Sequence, residues 1–361
     1  MTAIKSSSHQ VPSKVLKNRF KAYWPEITLV LVTMMWGGTY SIIQAGLDGL
    51  RGTIGGPLFF VGARFILAAL LTLALFWNRL RRPNRLELLG GVLAGLAGSL
   101  GQDFQTVGLE TITASQSAFL TALYVPLVPV VEWLLMRKTP RPAVWVGLGL
   151  AFAGLVVLTG QGAALVGGGA VHLSTGDVLT LLSAVAVAFE IVIIGMVAGG
   201  GVNTFNVTVV QLFTCGVAAL CAMPLNHEHW PGLSYEWLAP AMGLAIASTA
   251  IQFAMNWAQK YVTPSRAAVI YAGEPVWGGV FGRVSGDHTG WRAVWGALLI
   301  VAGVMASEWN FSRTLEKSLN LKNKLVQRKN PTANNMADGE KSVSDQAPSI
   351  APHRDGAGSG P

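Results

Sequence analysis

Two glutamates, Glu190 and Glu274, stand inside long apolar stretches of the chain, at 178–199 and 266–286. A charged side chain at the middle of a bilayer costs at least ~2.5 kcal/mol on insertion scales, so such residues face protein or water and mark pathways for ions, protons or substrates. Counting about 1.5 Å per residue from the end of each stretch, Trp36, Thr39, Thr121, Tyr124 and Tyr271 lie at the same depth. Together with Glu190 and Glu274 these side chains come from four stretches and can converge on one central cavity. With the two glutamates they form the candidate substrate-binding set. Glu274 and Glu190 are also the proton-coupling candidates, because a carboxylate there can take up and release a proton as its surroundings change.

Glu274 is followed by Pro275, whose missing amide leaves the carbonyl of Tyr271 without a helical partner. Pro126 does the same to the carbonyl of Ala122, and Pro129 to that of Val125. Matched helix interruptions in two halves of a chain point to a transporter's binding site; simple curvature of packed helices is the competing reading. A second polar group, Arg64 with Asp103, lies toward one face, flanked by Gln102 and Gln105. Opposite charges at equal depth can neutralise each other, as a structural pair or as an outer gate. Toward the other face lie Gln211, Gln252, Asn256 and Glu132, the last expected to be solvated beside Arg137 and Lys138. Arg283, near the end of its stretch, is expected to snorkel.

The elements that must position these residues are membrane helices. Half of the residues are apolar and only 12% are charged, which excludes an ordinary soluble enzyme. Ten windows reach the length of about 20 residues that a bilayer core requires: 27–46, 57–77, 88–108, 114–136, 143–161, 178–199, 205–225, 238–258, 266–286 and 291–310. Ala118 and Ala267, Pro126 and Pro275, Val131 and Val280, Gly147 and Gly296, and Leu150 and Leu299 all stand at one constant offset, so the chain contains one unit twice. Each copy holds five windows. An odd number of crossings makes the second copy enter from the opposite side, which predicts an all-α integral membrane fold of ten transmembrane helices in two inverted five-helix repeats. The divisions are a basic N-terminal arm at 1–26, repeats at 27–161 and 178–310, and a polar disordered tail at 315–361.

Lys and Arg cluster in the arm, around 79–85, 137–141 and 260–266, and in the tail, whereas Arg51 and Arg292 stand alone on the other side. The positive-inside rule therefore places both termini in the cytoplasm. The net charge of +8 is a topology signal and makes no case for nucleic acid; the tail can also touch anionic lipid. The first window lies behind a polar arm and is expected to remain as a signal-anchor. Cys215 and Cys221 read as a buried pair of free thiols. Gly91, Gly95, Gly98 and Gly101 form a ridge for close helix packing. His227-Glu228-His229 offers too few ligands for a metal, and no cofactor is expected.

The segments Thr113-Ala114-Ser115-Gln116-Ser117-Ala118-Phe119-Leu120-Thr121 with Tyr124-Val125-Pro126-Leu127-Val128-Pro129, Trp36-Gly37-Gly38-Thr39, Arg64-Phe65, and Thr263-Pro264-Ser265-Arg266-Ala267-Ala268 with Glu274-Pro275-Val276 resemble the EamA-type members of the drug/metabolite transporter superfamily. The resemblance covers the ten windows and neither tail. It implies ten helices in two inverted repeats around a central site, and export of amino acids or other small metabolites across the bacterial inner membrane. Two departures stand out: Phe281-Gly282-Arg283-Val284-Ser285-Gly286-Asp287 interrupts the apolar end of the ninth window, and Gly199-Gly200-Gly201 lacks the family's basic residues.

The chain thus reads as a secondary active transporter, a proton-coupled exporter whose partners are a small-molecule substrate and membrane lipid. It contains no Gly-rich loop ending in Lys-Ser/Thr that would supply ATP energy. A facilitative exchanger is the first alternative, followed by a channel or a non-transporting receptor; an enzyme is not expected. Monomer and homodimer are both open.

Overall fold

The computed structural model describes residues 13–137, 139, 142–158, 173–284, 286 and 290–307. All regular structure among the described residues is helical. The first repeat comprises α1 (Ser13–Asp48), α2 (Pro57–Phe76), α3 (Arg85–Gly108), α4 (Ala114–Thr121), α5 (Tyr124–Met136) and α6 (Pro142–Leu158). The second comprises α7 (Thr175–Ala198), α8 (Thr204–Ala222), α9 (Tyr235–Ala258), α10 (Pro264–Tyr271), α11 (Glu274–Val284) and α12 (Trp291–Ser307). The tail at 315–361, the arm before residue 13, and Ser285 and Asp287 lie outside the described residues. Helix α1 begins at Ser13, within the 1–26 arm, and runs on through the first window.

Six stretches are long and apolar enough to cross a membrane: Trp24–Asp48, Pro57–Arg79, Ala114–Met136, Thr175–Ala198, Thr204–Asn226 and Tyr235–Ala258. The other four windows also fall on helix but miss that measure among the described residues, for visible reasons. Gln102, Asp103 and Gln105 dilute α3, α6 and α12 have 17 described residues each, and α10 and α11 are short pieces separated by a break. Yet α3 is built inside out. Leu89, Leu93, Leu96 and Leu100 are exposed at helical spacing, while Gly91, Gly95, Gly98 and Gly101 are turned toward other helices. A helix that shows leucine outward and packs on glycine is suited to lipid rather than water.

The packing reveals the duplication. Helix α3 packs on α7, and α9 packs on α1; α3 packs on α8, and α9 on α2; α1 packs on α11, and α7 on α5. Each partnership recurs when the two repeats are exchanged, and α2 with α8 and α6 with α12 pair across the axis. Helix packing here depends on close approach. A Cβ on Gly95 would lie 2.6 Å from the carbonyl oxygen of Gln211 on α8, so α3 and α8 touch backbone to backbone at that point.

At the end of the bundle where α2 begins, Glu228 closes the junction between the repeats. Its carboxylate accepts from the amides of Leu58 (3.1 Å) and Phe59 (2.7 Å), two of the donors that a helix start leaves unpaired. The His227-Glu228-His229 loop thus caps α2, and the His229 amide donates to the carbonyl of Ile54 at 2.8 Å. Both cysteines are free thiols, but only Cys215 is buried; Cys221 is exposed on the surface of α8.

Candidate substrate site

Both broken helices are interrupted within one residue of the same place in their repeats. Ala122 and Leu123 separate α4 from α5, and Ala272 and Gly273 separate α10 from α11. Pro126 cannot donate to the carbonyl of Ala122, and that oxygen instead accepts from the amide of Val125 at 3.1 Å, a tighter turn that resets the axis. At the second break the Ala272 amide reaches the carbonyls of Ala268 and Val269, at 3.0 and 3.2 Å. Tyr124 and Glu274 are the first residues after the two breaks, so the matched interruptions deliver a phenol and a carboxylate to one point.

There Glu274 bridges the repeats. Its Oε2 accepts from the Tyr124 hydroxyl at 3.0 Å, and its Oε1 from the Tyr40 hydroxyl at 2.5 Å. Gln105 on α3 supports the pair by donating from Nε2 to the Tyr40 oxygen (3.1 Å) and to Thr121 Oγ1 (3.0 Å), while Thr121 donates to the carbonyl of Ser117. The Trp36 ring stands 5.4 Å from that of Tyr271, edge to face, and 6.4 Å from that of Tyr124. All of these side chains are buried.

Glu190 belongs to a second cluster. Its Oε1 accepts from Gln211 (2.8 Å) and Gln252 (3.0 Å), and Asn256 donates to Gln211 Oε1 (2.7 Å) and to Thr208 (3.2 Å). Gly98 makes room for it, since a Cβ there would stand 3.0 Å from Glu190 Oε1. The single central cavity expected from depth is therefore two polar clusters joined through an aromatic and aliphatic core containing Trp36, Tyr124, Tyr271 and Ile191. Tyr271 belongs to that core, with its ring against Trp36. Its hydroxyl has no hydrogen bond of standard geometry, and neither does the nearby Gln259 amide.

Other expected residues sit differently. Thr39 donates to the carbonyl of Trp36 at 2.6 Å, which turns its hydroxyl back on its own helix and away from Glu274. Arg64 and Asp103 make no ion pair within 4 Å: Arg64 donates to Gln102 and lies 4.7 Å above the Phe65 ring, while Asp103 accepts from Ser99 at 2.8 Å. The longer amide of Gln102, one helix position earlier, reaches the guanidinium in place of Asp103. Glu132 is not solvated by the basic loop. It is buried and accepts from Ser265 at the start of α10, because α5 packs against that helix. Arg283 is exposed at the end of α11.

Tyr40 and the supporting role of Gln105 were missed from sequence. A tyrosine in an apolar helix reads as core, but Tyr40 stands four residues after Trp36, the spacing that places two side chains on one helix face.

Comparison with known families completes the assignment. The model of the EamA-like transporter family matches residues 23–160 and again 174–308, one match per repeat. The chain belongs to the EamA-like transporter family. It is 27% identical over 266 residues to an uncharacterized transporter of Archaeoglobus fulgidus, covering 72% of this chain and 78% of that protein. It is 26% identical over 295 residues to the uncharacterized inner membrane transporter YedA of Escherichia coli (strain K12), covering 78% of this chain and 90% of YedA. The uncharacterized transporter YvbV of Bacillus subtilis (strain 168) is 26% identical over 234 residues, 64% of this chain and 72% of YvbV. A solved structure titled only as the crystal structure of a protein shares the fold, with a TM-score of 0.54, 20% identity, and coverage of 77% of this chain and 97% of that one. This EamA-family chain is a membrane transporter, and Glu274 stands where its two repeats meet.

Proposed function

We propose that the protein is a secondary active transporter that exports amino acids or other small metabolites in exchange for protons, by alternating access, across the bacterial inner membrane with both termini cytoplasmic. One observation carries this reading: the Glu274 carboxylate, at the break of the second repeat, accepts hydrogen bonds from two tyrosines of the first. Hydrogen bonds to an ionised acceptor are roughly twice as strong as neutral ones, so the unprotonated carboxylate ties the repeats together. A proton on either oxygen turns that oxygen into a donor that competes with a tyrosine hydroxyl. The tie loosens, and one repeat is freed to rock against the other. Trp36, Tyr124 and Tyr271 supply aromatic faces for an apolar or cationic substrate group beside the carboxylate.

Reconstitution tests it. Metabolites released by cells with and without the protein are compared first, and a labelled amino-acid mixture is then followed in proteoliposomes under an imposed pH gradient. The parent is expected to accumulate label against its gradient and Glu274→Gln to lose the gradient-driven component while retaining counterflow. If Glu190→Gln loses the drive and Glu274→Gln keeps it, coupling belongs to Glu190. If the parent itself shows counterflow but no gradient-driven accumulation, the protein is a facilitative exchanger.

A further inference from the structure

A cavity of about 570 Å³ opens between the α2–α3 connection of the first repeat and the α7–α8 connection of the second, lined by Arg79, Arg81, Arg82, Glu87, Asn203 and Phe205 among others. Its cations are uncompensated: no ion pair forms to Arg79, Arg81 or Arg82 among the described residues, where the ion pairs are Arg51 with Asp48 and Arg266 with Glu26. Glu87, the carboxylate in the lining, is already engaged. It accepts from the amide of Asn203 (2.8 Å), from Asn206 Nδ2 (2.8 Å) and from the amide of Asn84 (3.1 Å). The pocket wall is also fixed in place, because Asn203 Nδ2 donates to the carbonyl of Arg79 (3.0 Å) and the Arg81 amide donates to Asn206 Oδ1 (3.2 Å).

Three arginines lining a cavity whose wall carboxylate is already hydrogen-bonded suit a phosphate, since a guanidinium fork can pair with its two free oxygens. The flanks of this segment are apolar. Leu75 and Trp77 before the arginines, and Leu86 and Leu89 after them, are exposed. Tryptophan at the end of a membrane helix sits at headgroup level, and basic pockets between membrane helices accept anionic headgroups. We propose that this cavity binds the phosphate of an anionic phospholipid headgroup, whose acyl chains lie along the exposed apolar residues. The occupant would contact both repeats at once, making the stability of their junction dependent on lipid charge.

The test is the melting temperature of the full chain in detergent, with added phosphatidylglycerol, phosphatidylcholine or inorganic phosphate. Phosphatidylglycerol is expected to raise Tm by about 2–4 °C, and the other two to leave it unchanged. The triple variant Arg79→Gln, Arg81→Gln, Arg82→Gln is expected to lose the rise, whereas Arg137→Gln, which alters a cation elsewhere in the chain, keeps it. Should the triple variant fail to fold, each single change is expected to reduce the rise. An undiminished rise in the arginine variants overturns the site. An equal rise with phosphatidylcholine removes the charge requirement and also overturns it, and an equal rise with inorganic phosphate overturns the lipid assignment in favour of a soluble phosphate ligand.

Discussion

Tyr40 of α1 and Glu274 of α11 are joined by a hydrogen bond of 2.5 Å that spans the two repeats. With the 3.0 Å bond from Tyr124 it gives one carboxylate two phenol donors from the opposite repeat, each held by its own helix. A hydrogen bond to a charged group contributes about 1.5–3 kcal/mol. Tyr40→Phe and Tyr124→Phe should each lower the unfolding free energy by an amount of that order. In a double-mutant cycle with Glu274→Gln, each tyrosine should show a coupling of about 1 kcal/mol or more. Strict additivity in detergent and in lipid would mean that the bonds do not form.

Arg64 provides a second cycle. Its guanidinium donates to Gln102, whereas Asp103 is occupied by Ser99. Removing one member of a buried polar contact strands the other, so Arg64→Ala should reduce folded yield. Its coupling to Gln102→Ala should exceed its coupling to Asp103→Ala. The reverse order would restore a direct Arg64 to Asp103 pair.

Much of this architecture can be read from residue types, because a bilayer imposes simple constraints. Apolar windows, a repeated small-residue pattern and two prolines at one offset identify the repeats, and helix interruptions follow each proline's missing amide. Contacts across the bundle are harder to read. Depth estimates place Glu190 and Glu274 together, but depth is one coordinate; rotation about the helix axis decides that Glu190 meets Gln211 and Gln252 while Glu274 meets Tyr40 and Tyr124. The same coordinate separates Thr39 from Tyr40 and Gln102 from Asp103. Glu132 illustrates a further limit, since its partner Ser265 comes from the other repeat and no local pattern announces it.

The basic connections predict a topology that can be checked directly. Reporter fusions after residues 82, 139 and 320 should read cytoplasmic, and a fusion near residue 229 external. Ten crossings return the chain to the side on which it starts, so a C-terminus external while the N-terminus is cytoplasmic would sink the ten-crossing proposal.

Glu87, at the mouth of α3, should confer acid sensitivity. Burial alone would raise its carboxyl, but hydrogen bonds from Asn203, Asn206 and Asn84, together with nearby Lys260, outweigh that and hold it below the usual carboxylate range. A depressed folded-state value stabilises the protein above the ordinary pKa of glutamate, and the contribution is lost as pH falls through the folded value. Thermal stability should therefore decline on acidification below about pH 4.5, and Glu87→Gln should flatten that limb while lowering stability at neutral pH. An unchanged acid limb in Glu87→Gln would assign the transition to other carboxylates.

Two glycines of one ridge should respond differently to alanine. At Gly95 the new methyl would meet the Gln211 carbonyl oxygen at 2.6 Å, so backbone must move and α3 must part from α8. At Gly98 it would meet the Glu190 carboxylate at 3.0 Å, where a side chain can yield by a few tenths of an ångström. Overpacking a tight contact costs about 1–3 kcal/mol, and Gly95→Ala should sit within or above that range with a clear loss of folded yield. Gly98→Ala should cost less in stability yet disturb the bonds that Gln211 and Gln252 make to Glu190. Its effect should therefore appear in transport rate more than in melting temperature. Equal destabilisation by both changes would show that the ridge packs uniformly and that Gly98 holds no special relation to Glu190.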